Sequence, residues 1–509
     1  MCIFTCIHQA PFLRGLLVFS LPQVFITTTP EDAFLVGGRM CIFNAYLSTS
    51  MQFDTIFTER RVGSEKVYEG TRSGFQRDFD RLIFSSPFRR LQNKTQVFPM
   101  PGTAFVHNRL THSLEVASVG RSLGKMIGER ISTRYKGIND TVYEFYKYEL
   151  PNVIGAACLA HDIGNPAFGH SGEKAISAYF IERQGEAING RALQSFFTPK
   201  EWLDLSNFEG NANAVRILTH SFRGRFRGGF GLTYTTIASI LKYPCEASGM
   251  APQWKHRKKY GFFQSEKETV GGIAVELGML QEEQDPLVFK RHPFVYLVEA
   301  ADDICYSIVD MEDAHRLGII ARKEAETAFM EVIRKINRSG EDSDRIWSNY
   351  NSIGDGNEAI AFLRAKVINI LASDAADVFL DNETAILGGS YNNTLVDDIH
   401  DRCGALSLVR EVSVKKIYGH DTVLQIELAG YNVMSELLQL FVPALLKEAP
   451  THKDRKILKL FPYQFTEFEE ADTGYIKVLS ALDHLSSMTD EYATEIYRRL
   501  KGVVIPGHG

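Results

Sequence analysis

Apolar residues recur at helical spacing along most of the chain. Phe75, Phe79, Leu82, Ile83 and Phe88 recur at helical spacing and predict a helix from Gly74. The stretch 91–99 then reads as a helix end and a polar loop. Asn108 to Val116 opens a long amphipathic helix running to about residue 135. A small, apolar run, Ala156 to Ala160, leads straight into His161-Asp162, with Gly164 and Pro166 as its stop. Asn207 to Ala212 precedes another helix to about His220. From Val298 to Asp313 the pattern predicts a helix with carboxylates inside an apolar run. Further helices are predicted over 323–338, 358–380, 431–446 and 473–500. With no fixed-period repeat, the pattern describes a mainly α protein with few short strands.

Residues 1–50 do not fit that pattern. The apolar stretch 12–27 is interrupted by Arg14 and Gln23 and is too short to span a bilayer convincingly. A secretory signal would need a small-residue cleavage site, and none follows cleanly. We read 1–50 as an over-extended, poorly ordered start, with translation beginning near Met40 or Met51. Residues 51–320 then form a catalytic core, and 321–509 a helical region packed on it.

Composition narrows the function classes. The 509 residues are 44% hydrophobic and 23% charged, with a formal charge of -6, so no global nucleic-acid signature exists and any grip on an anion must be local. Seven cysteines, none in a CxxC pair, suit a reducing cytoplasm better than a disulfide frame. Neither a GxxxxGK[ST] loop nor a GxGxxG after a strand is present.

Four ligand-type residues stand on three predicted helices: His112, His161, Asp162 and Asp302. Two nitrogens and two oxygens suit one divalent ion with positions left open. His112 alone reads more readily as a core histidine, and the His161-Asp162 pair alone is equivocal; together they point to a metal. His170 and Glu173 are one helical turn apart, so the carboxylate can hold the imidazole for acid/base work. Asp302, Tyr306 and Asp310 lie at i, i+4 and i+8, one face that is costly to bury without a cation or polar ligand. Arg223, Arg225 and Arg227 interleave with Phe222, Phe226 and Phe230, and a basic run spans 255–259. Both could meet phosphates, or be solvated loops. The C-terminal third shows no readable chemistry and suggests core completion and subunit contacts.

Five blocks in order carry a resemblance: 89–99 (RRLQNKTQVFP), 109–113 (RLTHS), 161–170 (HDIGNPAFGH), 208–212 (FEGNA) and 299–303 (EAADD). The chain resembles the deoxynucleoside triphosphate triphosphohydrolases (dGTPases) of the HD-domain phosphohydrolases, over roughly 55–315 and onward. The resemblance implies an HD-domain multi-helix bundle with an additional helical C-terminal region. It implies that His112, His161, Asp162 and Asp302 hold the metal, and that His170, oriented by Glu173, is the acid/base group. Arg109 would bind phosphate, Tyr306 would exclude a 2′-hydroxyl, and Asp310 would accept the 3′-hydroxyl. Gln92 and the run at 255–259 are further substrate contacts. Asn165, where some HD enzymes carry a histidine, favours one ion: magnesium or manganese first, with iron, cobalt, nickel or zinc compatible.

The implied reaction is hydrolysis of a deoxynucleoside triphosphate, dGTP first, to deoxynucleoside and intact triphosphate. A cytoplasmic homo-oligomer without membrane attachment is expected. Two alternatives remain: another HD phosphohydrolase acting on monophosphates, cyclic nucleotides or alarmones, and a non-enzymatic module binding nucleotides or single-stranded nucleic acid, motivated by the Arg/Phe stretch.

Overall fold

A computed structural model describes residues 50–64, 70–98, 106–336 and 343–504, and the backbone of Ala33–Val36 and Arg39–Ile42. Those two strands pair antiparallel. The expectation of a poorly ordered start otherwise falls outside the described residues. Ser50–Gly509 forms one compact unit. Met51 is buried in it and donates its N–H to Leu387 O at 2.8 Å.

As expected, the fold is mainly α. Among the described residues the only sheets are two-stranded; the other two are Ala187–Ile188 with Arg191–Ala192, and Gln281–Glu283 with Val288–Phe289. The longer helices are α1 (Gly74–Ile83), α2 (Arg109–Ser132), α3 (Leu150–Ala160), α4 (Gly169–Glu182), α5 (Gly210–Thr219), α6 (Val295–Arg316), α7 (Arg322–Ile336), α8 (Gly356–Asp381), α9 (Asp421–Leu446), α10 (Gly474–Ser486) and α11 (Asp490–Leu500). No helix among the described residues is long and apolar enough to cross a membrane.

α3 is apolar all round, and from Val153 to Ala160 every side chain is fully buried, as a helix at the centre of a bundle must be. α2 crosses it closely. A Cβ at Gly120 would lie 2.4 Å from Cys158 Sγ, and one at Gly128 would lie 2.1 Å from Tyr146 O, so only glycine permits this approach. α2 begins where Asn108 and Thr111 cap each other: Thr111 N–H donates to Asn108 Oδ1 at 2.9 Å, and Asn108 N–H to Thr111 Oγ1 at 3.0 Å. α6 packs on α2 and α3, and α8 on α6.

Two hydrophobic cores result. One gathers α2, α3, α6 and α8; the other gathers α4, α9 and α10. The loop between α3 and α4 crosses from the first, at Ile163, to the second, at Ala167. The His-Asp pair therefore sits at a seam.

Two predicted boundaries need correction, and a third falls outside the described residues. The helix expected over 431–446 starts at Asp421. The one expected over 473–500 breaks into α10 and α11, because Ser487 N–H turns back to Asp483 O and the Thr489 side chain caps a new helix at Tyr492 N–H. α7 is described to Ile336, and its expected end at Arg338 lies outside the described residues.

The second core is pinned by one buried cation. Arg216 on α5 donates Nε and one terminal nitrogen to Asp483 on α10, at 2.8 and 2.7 Å, and the other terminal nitrogen to Glu266 at 2.9 Å. All three side chains are at most 3% exposed. Arg216→Met strands two buried carboxylates and should cost about 3–5 kcal/mol of stability, read by denaturant unfolding. A loss under about 1 kcal/mol would mean that the acids find other partners.

Candidate active site and metal centre

His161 is the first residue past α3. Its Nδ1 donates to Cys158 O at 2.6 Å, which leaves Nε2 as the free nitrogen. Nε2 is buried and has no hydrogen-bond partner. It faces Asp302 Oδ1 at 3.5 Å and Asp162 Oδ1 at 3.7 Å. From α2, His112 Nε2 lies 3.1 Å from Asp302 Oδ1. One ligand atom from each of His112, His161 and Asp302 falls within 4.8 Å of the others. Two imidazole nitrogens, one of them without a hydrogen-bond partner, and one carboxylate fit a divalent cation.

Asp162 stands at the rim of this trio. Its Oδ2 accepts from Arg109 at 2.8 Å and its Oδ1 from Asn165 Nδ2 at 2.5 Å. A lone pair on Oδ1 remains for an ion. Burial alone would push both carboxyls up, but opposing charges win. The imidazoles of His161 and His112 hold Asp302 well below its ordinary value, and Arg109 and His161 hold Asp162 low. Burial would lower His161, yet Asp162 and Asp302 raise it to about 9. Without metal, protons supply the positive charge that the buried acids require.

The next loop positions a second His-acid pair. Phe168 and Gly169 both take left-handed backbone, with φ of 61° and 55°. A Cβ on Gly169 would meet an Arg109 nitrogen at 2.3 Å, so glycine there makes room for the guanidinium. α4 follows. His170 Nδ1 bonds Glu173 Oε2 at 2.8 Å, and the imidazole is 68% exposed while Glu173 is buried. Burial would raise the Glu173 carboxyl, but the His170 hydrogen bond and charge, with the Gly210 N–H on Oε1 at 2.8 Å, keep it low and ionised. Arg109 is buried against Asp162, and its Nε has no partner. The guanidinium brings a fixed positive charge under the loop that carries His170, a charge that favours a phosphate nearby.

α6 delivers the third part. Tyr306 lies one turn beyond Asp302 and stacks on Tyr418, with ring centroids 5.8 Å apart. Tyr418 donates to Asp310 Oδ2 at 3.2 Å. Burial, then the charge of Asp313, pushes the Asp310 carboxyl well up, while the tyrosine bond opposes that shift. Tyr418 follows the π-turn Ser413–Ile417, in the C-terminal third whose sequence shows no readable chemistry; nothing in its sequence context signals this contact. Gln92 is exposed on the loop after α1, two residues before the buried Lys94.

Tyr306 also lines a cavity of about 240 Å³ with Lys242, Lys255, Lys258, Arg291 and Arg410, but Glu299 pairs with Lys242 and Arg291, and Asp397 with Lys255 and Arg410. Only Lys255 and Lys258 come from the basic run expected to touch substrate. Arg257 and Lys259 are spent on Glu283 and Glu209, at 2.5 and 2.7 Å. The Arg/Phe stretch likewise turns partly inward: Arg223 pairs with Glu469 and Glu470, and Phe222 is buried, while Phe226 is 90% exposed.

Histidines and an aspartate from α2, the α3 end and α6, converging on one point, define an HD-domain protein, and the HD domain family model matches residues 109–241. A deoxyguanosinetriphosphate triphosphohydrolase-like protein of Synechocystis sp. is 35% identical over 462 residues, covering 89% of this chain and all of the relative. One from Pseudomonas aeruginosa is 35% identical over 459 residues, 89% of this chain and 99% of the relative. The deoxyguanosinetriphosphate triphosphohydrolase of Yersinia enterocolitica is 32% identical over 502 residues, 86% of this chain and 95% of the relative. The chain belongs to the deoxyguanosinetriphosphate triphosphohydrolase family and is a phosphohydrolase of that family.

Because His161 stays protonated to about pH 9 without metal, binding a divalent cation must expel that proton. Manganese affinity should climb with pH by up to about tenfold per unit between pH 7 and 9. Calorimetry in buffers of different ionisation enthalpy should record about one proton released at pH 7. The metal-free fold runs the opposite way: the His161 contribution is whole below pH 6.5 and fades as pH rises towards about 9.

Proposed function

We propose that this protein hydrolyses deoxynucleoside triphosphates, dGTP first, at the α-phosphorus, releasing the deoxynucleoside and intact triphosphate. The observation that carries this reading is the convergence of His112, His161 and Asp302 next to a helix face that continues through Tyr306 to Asp310. We assign His112, His161, Asp162 and Asp302 as ligands of one divalent ion, magnesium or manganese. When bound, that ion supplies Lewis acidity and a hydroxide-like nucleophile near neutral pH.

The protein's own groups do the rest. Arg109 lends its positive charge to the phosphate region while one terminal nitrogen stays on Asp162. His170 carries a proton to or from the phosphate region, with Glu173 fixing Nδ1 so that Nε2 faces outward. Tyr306 and Asp310 read the sugar: a flat ring beside C2′ leaves no room for a 2′-hydroxyl, and the Asp310 carboxyl meets the 3′-hydroxyl. Gln92, exposed on the turn Leu91–Asn93, is a further candidate contact. The cavity beside Tyr306 mixes five cations with Glu299, Asp303 and Asp397, so a triphosphate tail there would have to compete with the Lys242–Glu299, Arg291–Glu299, Lys255–Asp397 and Arg410–Asp397 pairs.

Incubation with dGTP and manganese or magnesium, followed by ion-exchange separation, should give triphosphate as the first product. Diphosphate or orthophosphate without triphosphate would end the reading. Asp302→Asn removes a proposed ligand and should lower kcat by about 100-fold or more, beyond what outer-shell changes cost. Asp303→Asn, one position off that face, should cost less; the reverse order would mean that the metal aspartate is misassigned.

Tyr306→Ala should relax sugar choice, raising kcat/KM for GTP relative to dGTP by roughly 10-fold or more. Unchanged rejection of GTP refutes the tyrosine's assignment.

A further inference from the structure

Phe168 is a bulky residue in left-handed backbone, two positions before His170. Such a conformation is strained for any residue with a Cβ and persists only where its surroundings over-determine it. The surroundings here come from the far end of the chain. Phe168 N–H donates to Asp490 Oδ1 at 2.8 Å. Its ring lies on the bare backbone of Gly430 in α9, where an added Cβ would come within 2.5 Å of Phe168 Cβ and Cγ. The same Asp490 accepts from Thr95 N–H through Oδ2 at 2.8 Å. Lys94, completely buried beside it, donates to Asn165 O at 2.6 Å and Ser486 O at 2.7 Å. One carboxylate at the start of α11 thus ties the 91–95 loop to the His-Asp loop.

We infer that Asp490 and Gly430 are positioning residues for His170: together they hold Phe168 in its left-handed turn, and that turn aims the imidazole and seats Gly169 over Arg109. Neither residue touches the metal trio or the proposed substrate slot. Their effect passes through backbone geometry. An extended Phe168 would swing the first turn of α4 and part His170 from the line between Arg109 and the cation site. The inference rests on the proposed acid/base role of His170.

Two substitutions press on the turn from opposite sides. Asp490→Ala removes both hydrogen bonds, and Gly430→Ala pushes the ring off α9. Each should lower kcat by on the order of tenfold to 100-fold, with KM for dGTP moved less than about twofold. Asp490→Asn keeps one carbonyl acceptor and should lose less than Asp490→Ala. The deciding readout is a double-mutant cycle with His170→Ala, after melting curves show that each variant folds. If the turn acts through the imidazole, Asp490→Ala and Gly430→Ala cost almost nothing further in the His170→Ala background. Losses that multiply across the cycle, or no loss in either single variant, overturn the inference while leaving the reading of His170 intact. Full turnover by His170→Ala itself overturns both.

Discussion

Buried carboxylates that need a positive partner organise this protein. Asp162 is buried and Asp302 half-buried among apolar helices, where an ionised acid is tolerated only beside opposite charge. His112, His161 and Arg109 supply that charge from two further segments, so the helices must meet where the acids sit. α2 carries His112 to within 3.1 Å of Asp302 on α6, and glycines 120 and 128 let the same helix lie close against Cys158 of α3 and the Tyr146 carbonyl before it. A divalent cation held there would meet the same demand, and the partnerless Nε2 of His161 faces the carboxylates that would share it.

Around this centre the chemistry is divided by exposure. The metal-type trio is buried or half-buried at the seam of two cores, while the His170 imidazole is mostly in solvent. A buried cluster fixes charge, and an exposed imidazole exchanges protons. Glu173 bridges the two regimes: one oxygen holds His170, and the other takes the N–H of Gly210 at the start of α5. The α4 and α5 starts are thereby locked together, and acid/base geometry depends on the second core as much as on the first.

The C-terminal region is part of the site. Tyr418 braces Tyr306 and Asp310, Arg410 lines the cavity beside Tyr306 and pairs with Asp397, and Asp490 holds the loop before His170. A helical cap added only to complete a hydrophobic core would have no reason to spend buried polar groups in this way. Such contacts make the phosphohydrolase core and its C-terminal helices one cooperative unit, consistent with the compactness of Ser50–Gly509.

Helical spacing and the His-Asp block suffice to place His112, His161, Asp162 and Asp302 on three helices. His170 with Glu173, and Asp302 with Tyr306 and Asp310, are equally legible, because a helix converts sequence spacing directly into a shared face. Local order therefore belongs to the sequence: helix existence, the polar face of α6, and the stop after Ala160. Contacts between residues far apart in the chain do not, since nothing in the residues around Tyr418, Arg410 or Asp490 records what will fold against them. Nor could periodicity show that Arg257 and Lys259 would be spent on acids, or that Asp162 would divide itself between Arg109 and Asn165. Those outcomes depend on which charges packing brings within a few ångströms, and only the tertiary structure decides that.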